Sequence, residues 1–277
     1  MIMSKHESTI RLGVVPYLNV QPLISHLSSQ VDGVEICAEV PSQIVPMLER
    51  REVDVAIVPA FSLATHPEWT IVPGVGIASD GPVESVLLLS NEPLEEIRRV
   101  HLDPASMTSA ALVQILLRHH WNHDVEFIRR ARTRLRAEKG TAHLVIGDAA
   151  LRARRRFSHV LDLGEAWKSW SALPFVYAVW AVRPGFVLGS LSARLTQAPR
   201  FHNPALFNQI AHEHHREVGL TKREATKYLR DSLRFRIGDR EMNGLRHYLQ
   251  SCRELGLVPG GPVKLNLLPM EDRSALG

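Results

Sequence analysis

Cysteine is scarce in this 277-residue chain, where Cys37 and Cys252 are the only two. They lie far apart inside apolar patterns, V-E-I-C-A-E-V and Y-L-Q-S-C-R-E-L, which argues against a disulfide framework and predicts two reduced packing residues. Long hydrophobic runs are missing as well. The longest, F-V-Y-A-V-W-A-V at 175–182, has the length of a strand and falls well short of a membrane span of ~18 residues. The N-terminal M-I-M-S-K-H-E-S-T-I has no apolar core of the length a secretory signal needs, so a cytoplasmic protein is expected. No internal repeat or low-complexity segment stands out.

What remains is an ordinary globular composition, 45% apolar and 22% charged, in a chain long enough for two lobes. The net charge of +4 suits an acidic small molecule as well as it suits nucleic acid, and decides nothing alone. The first half alternates strand and helix. R-L-G-V-V-P at 11–16, V-E-I-C-A-E-V at 34–40 and the continuous apolar D-V-A-I-V-P at 54–59 read as strands, with a helix opening at Pro41-Ser42 between the last two. Such units need crossovers and imply a mostly parallel sheet. A second series follows with strands at 85–90, 99–103, 125–128 and 144–148, a helix at 108–121 and a returning strand at 175–182; residues 190–255 read as mainly helical. The expected division is one lobe from 1–90 plus 184–277, carrying the helical tail, and an inserted lobe at 91–183. Two crossings between lobes are how a hinged cleft is built.

Four strand-end turns concentrate small polar residues, and open α/β sheets bind ligands at the carboxyl ends of their strands. V-P-Y-L-N-V-Q-P places Asn19 at a helix entry, as an N-cap or as a ligand amide. G-I-A-S-D-G-P-V-E-S-V sets Ser79, Gly81 and Ser85 around a turn, where Gly81-Pro82 lets the backbone approach a ligand, although a plain loop fits equally well. L-D-P-A-S-M-T-S-A-A-L clusters Ser106, Thr108 and Ser109 before an apolar helix, more hydroxyls than capping requires. A helix N-terminus with free N–H groups holds a carboxylate without a cationic side chain. V-I-G-D-A-A-L leaves Asp148 either as an N-cap or facing the cleft.

P-Y-L-N followed by Pro22, P-S-Q…L…D-V-A-I-V-P, G-P-V-x-S-V, L-D-x-x-S-x-T-S-x-x-L, I-G-D-A-A-L and D-L-G-x-x-W…L-P-F-V-Y-A-x-W occur in this order. Together, over about residues 10–184, they resemble the chorismate dehydratase family of the futalosine route to menaquinone. The resemblance implies an α/β, two-lobed, type II periplasmic-binding-protein-like fold with a ligand cleft between lobes. It implies dehydration of chorismate to 3-[(1-carboxyvinyl)oxy]benzoate with neither cofactor nor metal. It sets Asn19 and Ser85 nearest the reacting centre as catalytic residues. Ser106, Thr108 and Ser109 would receive a substrate carboxylate, Ser79 and Gly81 would flank the ligand, and Asp148 would line the cleft. One departure is visible, because Ser171-Ala172 stands where the family usually has Thr-Gly before L-P-F.

No histidine falls in these motifs and neither Glu84 nor any other motif residue offers an obvious general base, so the substrate's own enolpyruvyl carboxylate is the expected base, with Asp148 in reserve. His119, His120 and His123, and H-E-H-H at 212–215, lack the H-E-x-x-H arrangement of a zinc protease and read as exposed helix faces. The basic stretches at 129–136 and 152–156 lack interleaved aromatics and read as solvated faces, with no nucleic-acid partner expected. Three rival readings are a non-catalytic solute-binding protein, a ligand-binding regulator, and a naphthoate-forming sister enzyme of the same pathway.

Overall fold

The computed structural model describes residues 9–27, 33–103, 106–129, 135–136, 138–196 and 203–269. The N-terminal residues 1–8, Pro104-Ala105 of the L-D-P-A-S motif, and residues 130–134 of the first basic stretch lie outside the described residues.

The chain opens with β1 (Ile10–Val14), a 3-10 turn at Leu18–Val20, α1 (Gln21–Ile24), β2 (Val34–Ala38), α2 (Pro41–Glu49) and β3 (Val55–Pro59). β1 pairs in parallel with both β2 and β3, as the crossover argument requires. β4 (Thr70–Ser79) then runs ten residues through Pro73 and Gly74, a segment whose breakers hide a strand. Its register shifts show how the breakers are absorbed, as irregularities against both of its antiparallel neighbours. Gly76 is glycine for space, since a Cβ there would sit 2.7 Å from Ala178 O on the facing strand.

The second sheet is built from β5 (Val86–Ser90), β6 (Arg99–Leu102), β7 (Glu126–Arg129), β8 (Thr141–Ile146) and β9 (His159–Asp162), in the order β7-β6-β8-β5-β9. Helices α3 (Met107–Ile115), continued by a π turn at Leu116–His120, and α4 (Gly147–Ala153) flank it. Every residue of β5 is buried, and the two-residue period shares them between two cores. Val86 and Leu88 join the main core with Leu144 and Ile146, whereas Leu87 and Leu89 join Val145, Ala150 and Ala153 on the other face.

After α5 (Leu163–Ser171), β10 (Phe175–Val182) returns to the first sheet, between β3 and β4. α6 (Leu191–Leu195), α7 (Pro204–His214), α8 (Lys222–Lys227), β11 (Arg234–Ile237), α9 (Asp239–Glu254) and β12 (Asn266–Leu267) complete the chain. β11 and β12 both pair with β4, so the expected helical tail also contributes strands. Sheet membership differs from the expected partition at 90 and 183 by one strand at each end: β5 belongs to the second sheet and β10 to the first. The chain therefore crosses between Ser79 and Val86 and again between Asp162 and Phe175. Both returning strands enter their sheets from the crossing side, opposite in sense to strands that end there. β10 accordingly pairs antiparallel with β3 and β4, and β5 with β8 and β9, making mixed sheets where a mostly parallel one was expected.

Candidate active site

The two crossings are pinned to each other by one carboxylate. Asp162 caps α5, accepting from Gly164 N at 2.9 Å and Glu165 N at 3.1 Å. It also accepts from Val83 N at 3.0 Å and Glu84 N at 2.7 Å on the other crossing. Burial raises the Asp162 carboxyl while these four N–H donors oppose the rise. Beside it, Ser79 donates to Gly81 O at 3.0 Å and meets Tyr177 Oη at 3.0 Å. With the serine proton given to the carbonyl, Tyr177 is the donor in the second contact. Gly164 packs against this group so closely that a Cβ would lie 2.6 Å from Gly81 O and Tyr177 Oη.

Above this joint lies a cavity of about 90 Å³, walled from the first sheet by Val15, Ile57, Pro59 and Ile77 and from the second by Val86 and Ile146. Five of the expected residues converge on it, namely Asn19, Ser85, Ser106, Thr108 and Ser109. Among the described residues that line the cavity, none carries a carboxylate, imidazole, ammonium or guanidinium group. Ser106, at the N-cap of α3, makes no side-chain capping bond, so the helix presents its first turn to the cavity without an internal plug. Thr108 lines the cavity, yet its hydroxyl is already engaged, accepting from Phe61 N at 3.2 Å and donating to Tyr177 O at 3.4 Å. That hydroxyl ties α3 to the first sheet, while Ser106 and Ser109 line the cavity beside it. Asn19 sits in a 3-10 turn and is not an N-cap, since Tyr17 occupies the cap position without a side-chain bond.

Ser79, Gly81 and Asp148 do not line the cavity. Ser79 and Gly81 support Tyr177, as described above. Asp148 lies in the first turn of α4 and accepts from Leu18 N at 3.2 Å, tying the second sheet's helix to the turn that carries Asn19. Burial raises its carboxyl, against the Leu18 N–H that favours the charged form. Glu84 is also turned away: Ser232 donates to it at 2.7 Å and Arg154 pairs with it. Burial would push the Glu84 carboxyl up, but these two donors outweigh it and hold it below its ordinary value.

Three tyrosines complete the site that motif reading had not assigned. Tyr17 covers Gly147, its ring 3.2 Å from where a Cβ would stand at that left-handed position. Tyr177 lines the floor. Tyr228, beyond α8, donates to Ser85 Oγ at 2.9 Å. Tyr17 and Tyr177 stand within the quoted motifs P-Y-L-N and L-P-F-V-Y-A, which marked their neighbourhood but not their part. Nothing in T-K-R-E-A-T-K-Y-L-R distinguishes Tyr228 from an aromatic packing residue. Among the described residues no group of three or more His, Cys, Asp or Glu could hold a metal ion, and no helix is long and apolar enough to cross a membrane. Arg154 and Arg155 of the second basic stretch pair with Glu84 in the first crossing and Glu224 in α8, so this run ties distant segments together besides facing solvent.

Two α/β sheets joined by paired crossings, with a ligand cavity at their strand ends, define a protein of the two-lobed periplasmic-binding-protein-like class. The periplasmic aliphatic sulphonate binding protein of Escherichia coli shares the fold, with a TM-score of 0.59 and 14% identity over 95% of this chain and 96% of that one. So does a structural-genomics protein of Archaeoglobus fulgidus, with a TM-score of 0.70 and 15% identity, covering 91% of this chain and all (100%) of that one. A desulfurization enzyme matches with a TM-score of 0.57 and 14% identity over 92% and 95% of the two chains. Within this class the chain belongs to the menaquinone biosynthesis family, whose model matches residues 10–254. A chorismate dehydratase of Thermus thermophilus is 31% identical over 192 residues, 62% of this chain and 69% of that protein. The chorismate dehydratase of Campylobacter jejuni is 23% identical over 253 residues, 89% of this chain and 99% of that protein.

Proposed function

We propose that this chain is a lyase that dehydrates chorismate to 3-[(1-carboxyvinyl)oxy]benzoate, in the cytoplasm, on the futalosine route to menaquinone. The observation that carries the mechanism is a cavity lined by hydroxyls, an amide and a helix N-terminus, with no ionisable acid or base other than phenols among the described residues. Chorismate brings two carboxylates, a ring hydroxyl and a ring C–H made acidic by the conjugated diene acid. The N-terminus of α3, with Ser106 and Ser109, receives the ring carboxylate and favours the negative charge that builds there as the C–H proton leaves. The substrate's enolpyruvyl carboxylate takes that proton. The electron pair returns to expel hydroxide from the next ring carbon, and proton and hydroxide together leave as water. Aromatisation drives the reaction, so the protein's task is orientation and charge stabilisation. Asn19 and Ser85 hold the carboxylate and the departing hydroxyl.

The test is to incubate the purified protein with chorismate and follow loss of the diene absorbance against appearance of the aromatic product. Stoichiometric conversion is expected. Ser85→Ala and Asn19→Ala are each expected to lower kcat about a hundredfold with little change in melting temperature. Saturable binding without turnover would assign the cavity to a solute-binding protein instead, and wild-type turnover in both variants would remove these two residues from the mechanism. A pH–rate profile governed by a carboxylate of the free enzyme would transfer the base to Asp148.

A further inference from the structure

We infer that Tyr228 is a positioning residue for this dehydration: the C-terminal segment delivers its hydroxyl to orient Ser85 toward the substrate. The inference rests on the site reading above and extends it to a part of the chain the ordered motifs do not reach. The polarity of the contact follows from valence. A buried phenolic proton needs an acceptor, and the geometry aims it at the serine. The Tyr228 proton then goes to Ser85 Oγ, 2.9 Å away and likewise buried. The reverse arrangement would leave the phenolic proton without a partner in a buried place, which is costly. Having accepted from Tyr228, Ser85 keeps its own proton to donate, and its side chain lines the cavity. Asn19 Oδ1, buried and without a hydrogen-bond partner among the described residues, is left to accept from the ligand. The phenol thus makes Ser85 a donor, and Asn19 Oδ1 stands as an acceptor on the same cavity, a matched pair for a hydroxyl that must be held and released.

The hydroxyl is also held firmly enough to serve. Tyr228 opens a π turn, Tyr228–Ser232, and such turns are frequent where a helix must present a side chain at a functional site. The turn is anchored at both ends to consecutive residues of the first crossing, with Tyr228 on Ser85 and Ser232 on Glu84. Glu84 itself holds a left-handed φ of 63°. Asp148 and Glu84 are the charged groups whose fields reach the phenol, and burial pushes that phenol upward, so it stays a neutral donor.

Tyr228→Phe keeps the ring and removes the hydroxyl. We expect kcat to fall about tenfold with KM changed less than about twofold, because the ligand's own contacts remain. In the Ser85→Ala background the same substitution should cost almost nothing further, since the hydroxyl then has no serine to orient. Wild-type kcat in Tyr228→Phe, or full additivity with Ser85→Ala, overturns the inference. If Ser85→Ala alone keeps wild-type turnover, it is the site reading that fails. Should Tyr228→Phe not fold, a polyfluorinated tyrosine at 228 retains size and hydroxyl while making the phenol more acidic. An alkaline fall in kcat that shifts toward neutrality is then expected, and an unshifted profile overturns the role.

Discussion

At φ 60°, Ala172 takes the left-handed conformation that closes α5, where an L residue's Cβ meets the following carbonyl. This is the position at which the resemblance led to a glycine. Ser171 keeps the hydroxyl's local work, donating to Trp167 O at 2.8 Å and accepting from Leu173 N at 3.1 Å. The departure is therefore local to a helix end and does not reach the cavity wall. Ala172→Gly is expected to stabilise the protein by about 0.5–1 kcal/mol, the relief of the Cβ clash less the added freedom of the unfolded chain. Denaturant unfolding measures it, with turnover unchanged. The same scale separates what motif reading found from what it missed. Asn19, Ser85, Ser106, Thr108 and Ser109 were legible because small polar residues gather at strand ends. Tyr228 was not, since a tyrosine inside a helical pattern carries no mark of the group its hydroxyl will meet 143 residues away.

Among the elements, the crossing strands carry the most constraint. α5 begins at Gly164 against the Ser79–Gly81–Tyr177 group, and two of the three atoms that a Cβ would meet within 3 Å belong to side chains already hydrogen-bonded to each other. Gly164→Ala is expected to destabilise by about 1–3 kcal/mol through overpacking and to lower kcat by shifting Tyr177, measured by unfolding and by turnover at saturating substrate. At the opposite end of the first sheet, Asp54 ties three strands together. It accepts from Arg11 N at 3.0 Å at the foot of β1 and pairs with Arg183 at 2.9 Å just past β10. Burial alone would raise the Asp54 carboxyl, but the Arg11 N–H and the guanidinium groups of Arg183 and Arg11 outweigh it and hold it below the ordinary aspartate value. A carboxyl held low when folded stabilises above its unfolded pKa and loses that contribution as pH falls through the folded one. Asp54→Asn should therefore cost about 1–3 kcal/mol near neutrality. Its deficit against wild type should shrink as pH drops below about 4, as urea titrations at several pH values would show.

For the whole molecule, the contacts between the two sheets are polar and specific. Phe61 N to Thr108, Thr108 to Tyr177 O, Leu18 N to Asp148 and Tyr248 to Thr108 O at 3.0 Å all join segments far apart in the chain. The C-terminal segment reaches both halves, through Tyr228 at Ser85 and Tyr248 at the first turn of α3. A cleft bridged by hydrogen bonds around a cavity with no ionised side chain among its described lining residues suits a reaction in which the ligand supplies charge and the protein supplies fixed dipoles.

The two-sheet α/β class, the parallel pairing of β1 with β2 and β3, and the strand-end hydroxyls and amide were determined locally. Hydrophobic period and turn chemistry act over a few residues, and they survive in the bare sequence. Which sheet receives β5 and β10, that Pro73 and Gly74 lie within a strand, and that Asp148 faces Leu18 were decided only by tertiary structure. So was the hydroxyl that orders Ser85. Each depends on a partner supplied by distant chain, and burial there leaves every polar group to be satisfied by whatever folding brings beside it.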